Sequence, residues 1–112
     1  MNDKSQLLKG TLEGCILRVI SNRETYGYEI SERLRDNGFS EISEGTIYPL
    51  LMRLEKSGLI VATFKDSPYG PKRKYFNITT KGEEEMQSFI INWQELQKAV
   101  KTLFNFKGDQ VL

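Results

Sequence analysis

The chain has 112 residues, 38% of them hydrophobic, with 16 basic and 15 acidic side chains, one cysteine and no histidine. The missing histidine excludes Ser-His-Asp and Cys-His nucleophile systems, and the single cysteine excludes an internal disulfide; together they exclude the common zinc sites. There is no Gly-rich phosphate loop, and the carboxylates fall beside Lys and Arg on helical faces, so neither an enzyme nor a bound metal or cofactor is expected.

This length suits one small domain with one extra element, and its thin core makes oligomerisation an expected source of stability. No apolar run reaches the ~20 residues that span a bilayer. The start, Met1-Asn2-Asp3-Lys4-Ser5-Gln6, is polar and lacks the apolar core of a signal peptide. A cytoplasmic location follows as the expectation. The net charge of +1 hides an uneven distribution. Residues 1–60 carry eight basic and nine acidic side chains. Residues 61–82 carry Lys65, Lys72, Arg73, Lys74 and Lys81 against Asp66 alone, and acidic residues dominate again from Glu83. A local basic patch of this kind suits phosphate.

In chain order, Leu8, Leu12, Cys15, Ile16, Val19 and Ile20 make an apolar stripe that predicts a first helix over Gln6–Ser21. Gly10 and Gly14 weaken it and permit close packing. Cys15 lies on the stripe and reads as a buried small hydrophobe. Asn22-Arg23-Glu24 is a turn. Thr25 then caps a second helix over Tyr26–Asn37, ended by Gly38, with Tyr26, Ile30 and Leu34 facing inward. Phe39 and Ile42 pin the bridge to the third helix.

That third helix is the organising element. Ser43 is a good N-cap; Ile47, Leu50, Leu51 and Leu54 line one face; Gly58 suits a left-handed stop. The opposite face carries Glu44, Thr46, Tyr48 and Arg53, whose hydrogen-bonding tips and aromatic ring differ from a plain Lys/Glu solvent face. Pro49 lies past the first turn, where it removes a helical N–H and crowds the carbonyl of Gly45. Two β-rich runs follow, over Leu59–Lys65 and Lys72–Ile78, joined by the turn-forming Asp66-Ser67-Pro68-Tyr69-Gly70-Pro71. An isolated two-stranded ribbon is marginal, so this hairpin must lean on the helices.

Three helices followed by a hairpin is the winged helix-turn-helix order, a mainly α, mixed α+β fold in which the third helix enters the major groove. The expected DNA-contacting set is Ser43, Glu44, Gly45, Thr46, Tyr48, Pro49 and Arg53 from that helix, with Tyr69, Lys72, Arg73 and Lys74 from the wing. The opposing reading of the wing cations is a charged edge that guards against aggregation.

The last helix runs from a capping box of Thr80 and Glu83 to about Phe104. Met86, Phe89, Trp93, Leu96, Val100 and Leu103 recur in steps of three and four, a heptad seam. The short core cannot cover that seam, so pairing with the same helix of a second copy is expected. The domain division that follows is 1–79 for the winged helix and 80–112 for a dimerisation helix with a frayed tail.

Three stretches together resemble the PadR family of bacterial transcriptional regulators. They are Tyr26-Gly27-Tyr28-Glu29-Ile30, then Glu44-Gly45-Thr46-Ile47-Tyr48-Pro49-Leu50-Leu51 with Arg53-Leu54-Glu55 and Gly58-Leu59-Ile60, and finally Lys72-Arg73-Lys74-Tyr75-Phe76 leading to Ile78-Thr79-Thr80-Lys81-Gly82. The resemblance implies a homodimeric repressor on double-stranded DNA with a palindromic operator, of the short subfamily with one C-terminal helix. In some short relatives a tryptophan on that helix stacks on flat aromatic effectors. Trp93 matches that place, with Phe89 and Cys15 as companions; Trp93 also reads as ordinary dimer core. The alternatives are a winged-helix module that binds protein, and a small-molecule-sensing dimer with little DNA affinity.

Overall fold

The computed structural model describes residues 4–105, which excludes the expected tail at 107–112. The elements are α1 (Lys4–Leu8), α2 (Leu12–Asn22), β1 (Thr25–Tyr26), α3 (Gly27–Asp36), α4 (Glu44–Lys56), β2 (Ile60–Ser67), β3 (Gly70–Ile78) and α5 (Thr80–Phe104). α2, α3 and α4 enclose a core of Ile16, Leu17, Ile20, Ile30, Leu34, Ile47, Leu51 and Leu54, closed from the sheet by Ile60 and Phe76. This is the winged helix-turn-helix that the element order implies, with the long helix appended.

Four boundaries differ from the sequence reading. The first helix is two. Gly10 adopts a positive φ of 83°, which ends α1, and Thr11 donates its hydroxyl to the Leu8 carbonyl at 2.8 Å. Gly14, by contrast, lies inside α2 beneath the Phe89 ring, where an added Cβ would collide with that ring.

Thr25 is a strand residue and not a helix cap. It pairs with Phe76, and Tyr26 with Tyr75, so β1 completes a three-stranded antiparallel sheet in the order β1-β3-β2. The buried Thr25 hydroxyl donates to the Glu29 carboxylate instead of accepting from a backbone N–H at the helix start. Tyr26 is half-buried and meets Tyr75 edge-on, with ring centroids 5.3 Å apart.

The wing is longer than expected. Ser67 pairs with Gly70, which leaves Pro68-Tyr69 as the turn, and an irregularity between Lys65 and Ser67 absorbs Asp66. Finally, α5 is capped by Thr79, one residue before the predicted capping box. Thr79 Oγ1 accepts from the Gly82 N–H at 3.0 Å and contacts the Gly58 carbonyl at 2.8 Å. Gly82 is buried against the Leu59 carbonyl, so no side chain is tolerated there.

α4 follows its sequence. Ser43 Oγ accepts from the Thr46 N–H at 3.3 Å, and Gly58 takes a φ of 79° after the last turn. α5 leaves the body quickly. Met86 and Phe89 are half-buried, whereas every described residue from Ile90 onward is exposed. At about 1.5 Å per residue its 25 residues extend ~37 Å, which stretches the molecule to 60 × 28 × 20 Å.

Candidate nucleic-acid interface

The polar face of the first turns of α4 is left to solvent because the apolar face is spent on Ile47, Leu51 and Leu54. Glu44, Gly45, Thr46, Tyr48 and Pro49 are all exposed, Tyr48 by 56%. Across from them lies the root of the wing. Tyr26, Gly27, Glu44, Tyr48, Arg73 and Lys74 border a niche of about 170 Å³. The structure therefore brings together Glu44 and Tyr48 of the helix with Arg73 and Lys74 of the hairpin.

The wing cations are held in place. The Arg73 guanidinium lies 4.5 Å from the Tyr26 ring centroid, and Lys74 bridges to Glu55 of α4 at 2.9 Å. Lys65 pairs with Glu24, which also accepts from Asn77 at 2.7 Å. These two bonds, Lys65's first and Asn77's second, hold the Glu24 carboxyl below the usual carboxylate range. Lys72 is exposed and forms no ion pair among the described residues. Tyr69 tips the turn, 95% exposed.

Arg53 stands apart from this group. Its Nε binds Glu13 of α2 at 3.1 Å, and with Thr46 and Leu50 it borders the α1–α2 side of α4. The sequence reading missed Tyr26, Glu24 and Glu55 as supports of the wing. Lys65 had been counted only as part of the basic segment. The first of these became visible once β1 joined the sheet.

A second concavity, of about 680 Å³, opens between α2, α3 and α5. Cys15, Val19, Leu34, Phe39, Met86 and Phe89 form its apolar lining, with Arg18 and Arg33 at its polar positions. Two of the three tentative ligand residues, Cys15 and Phe89, therefore meet here. Trp93 does not line this cleft; it is 39% exposed one turn further along α5. Cys15 is half-buried, not fully buried as its place on the stripe suggested, because it borders the cleft. Burial still pushes its thiol pKa up, which keeps it protonated at neutral pH. Among the described residues no group of three or more His, Cys, Asp or Glu could hold a metal ion, and no helix is long and apolar enough to cross a membrane.

A helix with an exposed polar face beside a cation-bearing wing defines a regulator of the winged-helix class. The sequence model of the transcriptional regulator PadR-like family matches residues 16–88. The chain belongs to that family, whose members are transcriptional regulators and not enzymes. It is 50% identical to a solved PadR-like transcriptional regulator from Bacillus cereus, with a TM-score of 0.81 over 91% of this chain and 99% of that one. A solved Streptococcus transcriptional regulator is 48% identical, with a TM-score of 0.80 over 89% of this chain and 98% of the other. Among curated proteins, an uncharacterized protein of Lysinibacillus sphaericus is 36% identical across 87% of this chain and 91% of its own length. The negative transcriptional regulator PadR of Bacillus subtilis is 29% identical across 87% of this chain, which spans only 54% of that protein.

Proposed function

We propose that this PadR-family regulator acts as an effector-responsive repressor, a cytoplasmic homodimer on a palindromic operator. The observation that carries the reading is the shared niche, where exposed Tyr48 of α4 faces Arg73 and Lys74 of the wing. Thr46 and Tyr48 reach base edges or phosphate in the major groove, while Ser43, Gly45 and Pro49 shape the approach of the helix tip. Lys72, Arg73, Lys74 and Tyr69 meet backbone or minor groove. Arg53 reaches phosphate only by exchanging its bond with Glu13. α5 forms the dimerisation element, with Met86, Phe89, Trp93, Leu96, Val100 and Leu103 as its seam. The Bacillus subtilis relative's designation as a negative regulator supports repression over activation.

A gel shift with the protein's own upstream DNA at several salt concentrations tests this. Binding should weaken steeply as salt rises. Lys72→Ala should flatten the log–log slope by about 0.9, the value of one lost phosphate contact. Salt-independent binding, or none, would favour the protein-interaction alternative. The cleft of about 680 Å³ gives the effector-responsive part its own motive. Release of bound DNA by planar aromatic compounds is the expected result, with quenching of Trp93, which lies one turn beyond the cleft's Phe89, as its optical report.

A further inference from the structure

Glu44 is an anomaly on this face. It is the first residue of α4, it is exposed, and it forms no ion pair among the described residues. The cations that share its niche are engaged elsewhere, Arg73 over the Tyr26 ring and Lys74 with Glu55. Its carboxylate is nevertheless given a seat. Oε2 lies 3.3 Å from where a Cβ on Gly27 would be, so the glycine leaves room for it. Gly27 opens α3, whose N-terminal dipole tolerates an anion.

An unpaired carboxylate on a surface that meets phosphates is repelled by the backbone of any sequence. The repulsion reverses only against a donor. In the major groove, a carboxylate accepts from the exocyclic N4 amine of cytosine. The N-terminal residues of a recognition helix are those placed to reach base edges. We infer that Glu44 is a specificity-determining residue, reading the N4 amine of a cytosine in each operator half-site and penalising DNA that offers none. The inference rests on the DNA-binding reading above and adds to it a defined base and a defined side chain.

The test starts by selecting tight-binding duplexes from a random pool with the wild-type protein, then substituting each base pair of the selected site in turn. Wild type should show one C·G pair per half-site whose replacement costs about tenfold or more. Glu44→Ala should lose that preference alone, and bind unselected DNA more tightly than wild type does. Glu44→Gln should shift the preference at that pair from C·G toward A·T, because glutamine pairs bidentately with adenine. A carboxylate that served only the helix dipole would give no such switch. Circular dichroism and the other base preferences report whether each variant is folded. If Glu44→Ala keeps the cytosine preference, the inference is overturned while the DNA-binding reading stands. If wild type selects no sequence at all, both fall.

Discussion

Two glycines decide how α5 meets the body. A side chain at Gly14 would enter the Phe89 ring, and one at Gly82 would enter the Leu59 carbonyl. Overpacking of this kind costs about 1–3 kcal/mol. The ring can swing but the carbonyl is backbone, so Gly82→Ala should lower the urea midpoint more than Gly14→Ala. Shortening the ring in a Gly14→Ala/Phe89→Leu variant should recover part of the first loss. The sequence announced Gly14 as a weak helix residue that permits close packing, with no such sign for Gly82. It did not announce their partners, because Phe89 and Leu59 lie 75 and 23 residues away. The same holds for Glu24, read as part of a turn. Its depressed pKa adds stability that is present above the unfolded-state value and lost as pH falls through the folded-state one. Wild type and Glu24→Gln should therefore differ in melting temperature at neutral pH and converge on acidification. A constant gap would show that the carboxylate charge is not what ties β1's approach to the wing.

At the scale of elements, periodicity recovered α3, α4, the hairpin and α5, since each carries a full repeat of its own pattern. β1 was invisible, since two residues contain no period and are a strand only because Phe76 and Tyr75 lie opposite. The cap of α5 slipped by one for a related reason. Thr79 and Thr80 are equivalent in sequence, and the Leu59 carbonyl chooses between them by requiring glycine three residues on. Of the candidate interface, the exposed α4 residues were legible from the face opposite the apolar stripe. The ion pairs that fix Arg53 and Lys74 were not, since Glu13 and Glu55 look like ordinary helix-face charges. Pro49 is the element's own misfit. It removes one α4 hydrogen bond to Gly45 without any compensating packing, being exposed. Pro49→Ala should raise stability by about 1–3 kcal/mol in denaturant melts, the upper end being the ordinary cost of proline within a helix. The same change should weaken DNA binding, if the loosened turn is what lets the helix tip seat in the groove.

For the whole molecule, the question is what covers α5. Trp93, Leu96, Val100 and Leu103 stand exposed on one side of a helix that has left its own core. A second α5 is the proposed cover. Leu96→Asp should then convert a dimer to a 12.9 kDa particle in light scattering, and weaken operator binding far more than loss of one contact would. A wild-type protein that is already a 12.9 kDa particle at working concentration would remove the dimer from the proposal.

The joint at the base of α5 has a mechanical corollary. Thr79 reaches the Gly58 carbonyl, Lys81 the Ser57 carbonyl at 3.0 Å, and Gly82 lies flush on Leu59, so the helix is welded to the stretch linking α4 to the hairpin. A rod fixed so firmly at one end behaves as a lever. In the proposed dimer, a tilt imposed on its far half would be carried through this joint to α4, and a small change in the crossing angle of the two rods would retune the span between the two reading heads.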